Sequence, residues 1–204
     1  MRVHVKVCGI RDAATALVAV EAGADALGFV MSESVRRVTP AEASVIAARL
    51  PRSVERVAVF RRPHPEELEA ALGTLGPWLV QADHDAVGDA PGMRLLPVYR
   101  ESSGIELAIE ADLARRGGAR FHYEGSRSGS GEVVDWLRAH HLGRLGQMTL
   151  AGGLTPDNVG EAIRVARPFG VDVSSGVESR PGVKDPGLIR EFVAAVRDTE
   201  RGAA

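Results

Sequence analysis

Short runs of mostly apolar residues alternate with longer amphipathic segments along the whole of this 204-residue chain. Short apolar runs rich in Val, Leu and Ile are typical of strands that are buried on both faces of a parallel sheet. The pattern predicts eight such strands, at residues 3–8, 26–30, 56–60, 79–81, 94–98, 120–123, 148–151 and 171–174.

Helix start and stop signals fall between most of these strands. Gly23 follows one amphipathic segment, as a helix-ending glycine does, and Thr39, Pro40 and Glu42 have the pattern of a capping box with proline at the first helical position. Seven helices are predicted, at residues 12–22, from 40 onward, 64–72, 105–115, 133–140, 158–166 and 188–201. The helix signal nearly fails at residues 82–93, whose composition is that of a loop.

Strands and helices that alternate in this way predict a parallel sheet with right-handed crossover connections. An open doubly wound sheet would need fewer strands, and its G-x-G-x-x-G motif is absent after the first strand. Aromatic residues make up only 4% of the chain, which leaves Val, Leu, Ile and Ala to fill the core, as in a parallel barrel. We therefore predict an α/β protein with the (β/α)8 fold, a TIM barrel, in a single domain over residues 1–204.

Charge and cysteine content narrow the expected partners and location. The formal net charge is −2, which gives no reason to expect nucleic acid or an anionic membrane as a partner. The apolar stretches are well short of the roughly 18 residues of a membrane-spanning helix, and the first residues lack the apolar core of a signal peptide. A lone cysteine cannot form an internal disulfide, which fits a reducing cytosol. We therefore expect a cytoplasmic protein that binds neither nucleic acid nor membrane.

Two glycine-rich turns near the end of the chain have the pattern of a phosphate site. The apolar runs at residues 148–151 and 171–174 are followed by Gly152-Gly153 and Ser175-Gly176, each before a helix signal. Exposed backbone N–H groups and the positive end of a helix dipole hold phosphate, and the loops after strands seven and eight of a barrel often do so. The alternative is that these residues form only tight turns.

Five segments of the chain resemble the phosphoribosylanthranilate isomerase family. They read VKVCGIRDAATALVAVEAGADALGFVM, SVRRVTP, GSGEVVDW, LAGGLTPDNV and DVSSGVESRPGVKD. The resemblance implies conversion of N-(5-phosphoribosyl)anthranilate to 1-(2-carboxyphenylamino)-1-deoxyribulose 5-phosphate, an acid–base Amadori rearrangement of tryptophan biosynthesis. It implies a small phosphoribosyl molecule as substrate, and neither a metal nor an organic cofactor.

The same resemblance implies the two catalytic groups. It places the base at Cys8, which needs a pKa below the ordinary ~8.5 to act as a thiolate; by itself, a lone cysteine is more often a small buried hydrophobe. It places the acid at Glu124, where the family carries an aspartate a few residues before a glycine-rich loop. The alternative for Glu124 is a solvated loop glutamate.

The resemblance also implies the binding residues. Arg36 matches the family arginine that meets the anthranilate carboxylate, which a planar guanidinium binds through two parallel hydrogen bonds. The phosphate is expected on backbone N–H groups of the two turns, with Gly131 closing over it: Gly131, Gly152, Gly153, Ser175 and Gly176. Asp172 and Glu178 would repel a phosphate, so we expect them to point away from it or to brace the loop.

Departures from the family pattern cluster on the middle strands. After strand four, this chain has Asp83-His84 where the family has a His-Gly pair. Strand five reads Leu95-Leu96-Pro97-Val98 where the family usually has a lysine followed by small or apolar residues. Pro97 is expected at the end of its strand, because proline removes a ladder hydrogen bond.

Several alternatives stay open at this point. The chain is either an active isomerase or a catalytically weak or inactive barrel that binds a phosphosugar. Less favoured are an isomerase of the histidine-pathway aminoaldose and a structural or partner-binding barrel. The sequence does not decide between a monomer and a homodimer.

Overall fold

Eight parallel strands close into a barrel in the order in which they occur along the chain. The computed structural model describes residues 2–76, 78–88, 93–116, 120–125 and 133–202. The strands are β1 (His4–Cys8), β2 (Ala26–Val30), β3 (Glu55–Val59), β4 (Leu79–Asp83), β5 (Arg94–Arg100), β6 (Arg120–Glu124), β7 (Gln147–Leu150) and β8 (Gly170–Val173). β8 pairs with β1 and closes the barrel. The predicted (β/α)8 fold is confirmed.

Seven α-helices occur in the described residues and surround the barrel. They are α1 (Ala13–Ala22), α2 (Pro40–Ala47), α3 (Pro65–Leu75), α4 (Ile105–Arg116), α5 (Trp136–Gly143), α6 (Val159–Ala166) and α7 (Pro186–Gly202). Within residues 84–88 and 93, which are the described part of the β4–β5 connection, no helix occurs, as predicted. None of the described helices is long and apolar enough to cross a membrane.

Local signals in the sequence account for the helix boundaries. The Asp12 side chain accepts the Thr15 N–H at 2.8 Å and caps α1, which ends at Gly23 with φ of 105°. The capping box before α2 is present, with Thr39 and Glu42 each accepting from the backbone of the other. These bonds satisfy N–H groups that a helix leaves free at its start.

The β8–α7 connection contains elements that the hydrophobic pattern does not predict. A 3-10 helix (Ser175–Val177) follows β8 directly. The antiparallel pair β9 (Glu178–Arg180) and β10 (Val183–Lys184) comes next. This hairpin brings the side chains of Glu178 and Lys184 back toward β8.

Alternate residues of each strand face the barrel axis. Four of these inward-facing residues form an apolar cluster, Ala26, Val57, Leu79 and Leu96. Buried polar side chains also lie inside the barrel, at Lys6, Gln81, His122, Thr149 and Asp172. The carboxyl ends of the strands carry Cys8, Asp83, Arg100 and Glu124.

The expected position of Pro97 is wrong. Pro97 lies in the middle of β5, opposite Ala82 of β4. The ladder from β5 to β6 begins only at Val98. A proline is tolerated inside a strand where its missing N–H is not needed by a neighbouring strand, and here the β6 ladder starts one residue later.

Candidate active site

A cavity of about 230 Å³ opens at the carboxyl ends of the barrel strands, the face that carries the active site in enzymes of this fold. The predicted residues that line it are Cys8, Arg36, Glu124, Gly152, Gly153 and Ser175. Gly131 lies outside the described residues. No group of three or more His, Cys, Asp or Glu side chains that could hold a metal ion occurs in the described part of the chain.

Cys8 is the last residue of β1 and lies buried at the floor of the cavity. Gly28 of β2 leaves the space that its side chain occupies, since a Cβ on Gly28 would lie 2.8 Å from the Cys8 Sγ and 3.1 Å from the Lys6 Nζ. Burial raises the pKa of the Cys8 thiol, although the cations Lys6 and Lys184 act in the opposite direction. The lowered pKa that the sequence analysis expects is therefore wrong for the free site, where the thiolate is a minor form at neutral pH.

Glu124 is the last residue of β6, as predicted, and its side chain is only 12% exposed. The alternative of a solvated loop glutamate is therefore wrong. Burial raises the pKa of the Glu124 carboxyl, Arg100 opposes this shift, and the carboxylates of Asp172 and Asp83 add to it. The side chain thus keeps its proton to a higher pH than an ordinary glutamate, as a general acid must.

Arg100 and Asp83 also lie at this face, and sequence reasoning missed both. Arg100 ends β5, and its guanidinium contacts Glu124 on one side and Asp83 on the other. Their position in the sequence could have identified them, because each is a charged residue at the end of an apolar strand, as Glu124 is. Asp83 stands in the sequence only as a departure from the family pattern, and the family resemblance gives no role to Arg100.

Asp172 does not brace a loop. It projects into the barrel, where its Oδ2 lies 2.9 Å from the Lys6 Nζ and 3.6 Å from the His122 Nε2. Burial disfavours the charge on Lys6, but the interactions with Asp172 and Cys8 together outweigh it and raise the pKa of Lys6. Burial, together with the cations Lys6 and Arg100, holds the pKa of His122 well below its usual value, so the imidazole is neutral.

Glu178 does brace its loop, by fixing Arg36. The Arg36 Nε and Nη2 donate to the two carboxylate oxygens at 2.7 and 2.9 Å, and the Lys184 Nζ donates to Oε1 at 2.8 Å. Burial favours the neutral acid, yet these hydrogen bonds lower the pKa of Glu178 to about 2. The Arg36 Nη1 makes no hydrogen bond within the described residues and remains available to a ligand.

The two predicted phosphate turns lie side by side. Gly152 and Gly153 have φ of 99° and 62°, in the left-handed region that favours glycine. In the described part of the chain, the backbone N–H groups of Gly152, Gly153, Ser175 and Gly176 donate to no other protein group. Gly176 itself lies against the other turn, since a Cβ on it would be 1.9 Å from the Leu154 carbonyl oxygen.

Gly176→Ala is expected to weaken phosphate binding. The methyl group has to push the 3-10 helix away from the Leu154 carbonyl, which separates the N–H donors of the two turns. A lost or misplaced hydrogen bond to a charged group costs about 1.5–3 kcal/mol, so KM should rise roughly 10-fold or more. Steady-state kinetics and titration with inorganic phosphate measure the effect.

Gly73→Ala is the matched control for this substitution. Gly73 lies in α3 with no atom within 4 Å of its added Cβ. An unchanged KM in both variants would show that the turns do not hold the phosphate.

The chain is similar to known proteins over nearly its whole length. The sequence profile of N-(5'phosphoribosyl)anthranilate (PRA) isomerase matches residues 5–195. An N-(5'-phosphoribosyl)anthranilate isomerase of Roseiflexus sp. (strain RS-1) is 42% identical over 96% of this chain and 98% of its own length.

Two solved structures have the same fold. A phosphoribosyl anthranilate isomerase in complex with reduced 1-(o-carboxyphenylamino)-1-deoxyribulose 5-phosphate is 34% identical, with a TM-score of 0.77, over 96% of this chain and 99% of that one. Generated monomers of the dimeric phosphoribosylanthranilate isomerase from Thermotoga maritima are 33% identical, with a TM-score of 0.79, over 96% of this chain and 99% of that one.

Proposed function

Because this chain belongs to the N-(5'-phosphoribosyl)anthranilate isomerase family, we propose which of its residues carry out that isomerisation. The reaction converts N-(5'-phosphoribosyl)anthranilate to 1-(2-carboxyphenylamino)-1-deoxyribulose 5-phosphate. The observation that carries the proposal is that one cavity brings together a buried thiol, a protonatable carboxyl, an arginine edge and two turns with free N–H groups.

Glu124 is the general acid in this proposal. It donates its proton to the ring oxygen of the ribofuranose as the bond from that oxygen to C1 breaks. The lone pair of the anthranilate nitrogen forms the C1=N bond of a Schiff base, so the positive charge moves to nitrogen. The raised pKa of Glu124 supports this role, because a carboxyl that ionised at its usual pH would hold little of the proton to be donated.

Cys8 is the general base. Its thiolate takes the proton from C2 of the sugar, the electron pair forms the C1=C2 bond, and the nitrogen becomes neutral in the enolamine. The enolamine then tautomerises to the ketone, with loss of the hydroxyl proton at C2 and protonation at C1. Lys6 and Lys184 supply positive charge that stabilises the thiolate when it forms.

Arg36 and the two turns bind the ends of the substrate. Glu178 occupies the Nε–Nη2 edge of Arg36, which leaves the Nη1–Nη2 edge for the anthranilate carboxylate. At the other end, the phosphate receives N–H groups from the turns after β7 and β8, and Gly131 is proposed to approach it from the β6–α5 loop. Binding at both ends holds the sugar between the acid and the base.

Arg36→Ala is expected to weaken substrate binding more than turnover. KM should rise about 10- to 100-fold, because a charge-assisted hydrogen bond is lost, while kcat falls less. Arg37→Ala is the matched control, since Arg37 is exposed and its side chain forms a surface ion pair with Glu33. Steady-state kinetics of both variants test the role, and an equal KM in the two would contradict it.

The isomerisation itself is tested with freshly generated phosphoribosylanthranilate, whose fluorescence disappears as it rearranges. The signal should fall at a rate proportional to the concentration of this protein. Tight binding of a product analogue without loss of signal would instead indicate a barrel that binds the phosphosugar and does not turn it over.

We further infer that the enzyme is cytoplasmic and acts on a small molecule rather than on nucleic acid. The single reduced cysteine and the slightly negative net charge support both points. It is proposed to be a monomer or a homodimer.

A further inference from the structure

Three charged side chains at the ends of adjacent strands form a continuous ion-pair chain in the mouth of the barrel. They are Asp83 at the end of β4, Arg100 at the end of β5 and Glu124 at the end of β6. We propose that Arg100 is a positioning residue, which Asp83 holds in place and which in turn holds the Glu124 carboxyl at the site of proton donation. The inference rests on the proposed role of Glu124 as the general acid.

The guanidinium of Arg100 joins the two carboxyls through different nitrogens. Its Nε and Nη2 donate to the Asp83 Oδ1 at 3.1 and 2.8 Å, and its Nη1 donates to the Glu124 Oε1. Arg100 and Glu124 are also direct partners in the strand register. Since a guanidinium is planar, fixing one edge on Asp83 determines where the other edge meets Glu124.

Asp83, which holds Arg100, is itself held in place. The Asp83 backbone N–H donates to the Arg61 carbonyl at 3.1 Å, and its side chain is 10% exposed. Arg62 lies near the second oxygen, with its Nη1 3.8 Å from Oδ2. Asp83 therefore offers Arg100 an acceptor that cannot easily swing away.

A glutamate needs such support more than an aspartate does. Its carboxyl lies one methylene further from the backbone and has one more rotatable bond, so it samples more positions unless a partner restricts it. A displacement of the order of 1 Å at a reacting group costs about 100-fold in rate. The ion pair to Arg100 restricts the longer side chain to one position beside the cavity.

The same pair sets the charge environment of Glu124. The charged groups that face it in the described residues are Arg100 from β5, Asp83 from β4, Asp172 from β8 and Lys6 from β1. Arg100 lowers the pKa of Glu124, whereas Asp83 raises it. Loss of Arg100 and loss of the Asp83 charge should therefore move this pKa in opposite directions, which a purely structural role would not do.

The test compares Arg100→Met with Asp83→Asn in the complete enzyme. The reaction needs Glu124 protonated and Cys8 ionised. Because Glu124 ionises at a lower pH than Cys8, kcat/KM rises with pH until it levels off at the pKa of Glu124. The acidic limb of the pH profile therefore follows Glu124. The substrate phosphate also ionises near pH ~6, but it does so identically for every variant. Arg100→Met should lower kcat about 10- to 100-fold with little change in KM, and should move the acidic limb to higher pH. Asp83→Asn should move that limb to lower pH.

Arg120→Met is the matched control. Arg120 makes a similar two-point ion pair with Glu55, at 3.2 and 3.1 Å, but it lies at the opposite end of β6. It should lose a comparable amount of thermal stability without moving the limb. Arg100→Met leaves the Asp83 carboxylate without its partner, which can lower stability. The double variant Arg100→Met with Asp83→Asn removes that charge. Its acidic limb should return toward that of the unchanged enzyme.

The outcomes separate this inference from the role of Glu124. If Glu124→Gln is inactive but Arg100→Met keeps the kcat and the acidic limb of the unchanged enzyme, Arg100 is not a positioning residue. Glu124 remains the general acid in that case. If both limbs move in the same direction, Arg100 supports only the fold. Full activity of Glu124→Gln would exclude Glu124 as the general acid, whatever the result for the Arg100 variants.

Discussion

Cys8→Ser is expected to lower kcat by about 10²- to 10⁴-fold, the usual contribution of a positioned general base. A serine hydroxyl is nearly isosteric with the thiol but is a far weaker acid, so almost none of it is ionised at neutral pH. Substrate binding should be nearly unchanged, because Arg36 and the phosphate turns are untouched. The decay of substrate fluorescence measures kcat, and titration with a product analogue measures affinity.

The raised pKa of Cys8 adds a second expectation to this experiment. Since burial keeps the thiol protonated in the free site, alkylation by iodoacetamide should be slow at neutral pH and should accelerate as the pH rises. An enzyme with Cys8→Ser that turned over at the normal rate would exclude Cys8 as the base. Retention of the thermal midpoint would show that the loss of rate does not come from loss of the fold.

Glu124→Gln is expected to lower kcat by a similar 10²- to 10⁴-fold, because an amide occupies the same space but has no acidic proton to donate. The effect should lie in kcat rather than KM, since the ring oxygen gains its proton only as the ring opens. Any activity that remains should lack the acidic limb of kcat/KM that follows Glu124 in the unchanged enzyme. The same fluorescence assay, run across pH, measures both parameters.

Glu124→Asp is the control that separates proton donation from position. It restores the residue type that the family carries but places the carboxyl one methylene further from Arg100. It should retain more activity than Glu124→Gln, because it keeps the proton. If both variants turned over at the rate of the unchanged enzyme, no acid would act at this position.

Local features of the sequence were enough to predict the (β/α)8 architecture. Apolar runs, the capping box at Thr39 and Glu42 and the helix-ending Gly23 depend on contacts between near neighbours, so each is readable from a short window. The order of strands and helices then gives the barrel, and the barrel gives the face at which Cys8 and Glu124 end their strands. The position of Pro97 was missed, because it depends on where the pairing of β5 with β6 begins.

The sequence alone determined the barrel, the strand ends occupied by Cys8 and Glu124, and the glycine-rich turns, because these follow from periodicity and from residues close together in the chain. Only the tertiary structure decided which charges meet. The Arg36–Glu178 and Lys6–Asp172 pairs join residues 142 and 166 positions apart, and Arg100 bridges two neighbouring strands. The raised pKa of Cys8 likewise depends on burial, which no neighbouring residue in the chain encodes. Coulomb energies and desolvation depend on distance and solvent exposure in space, and the closed barrel creates both.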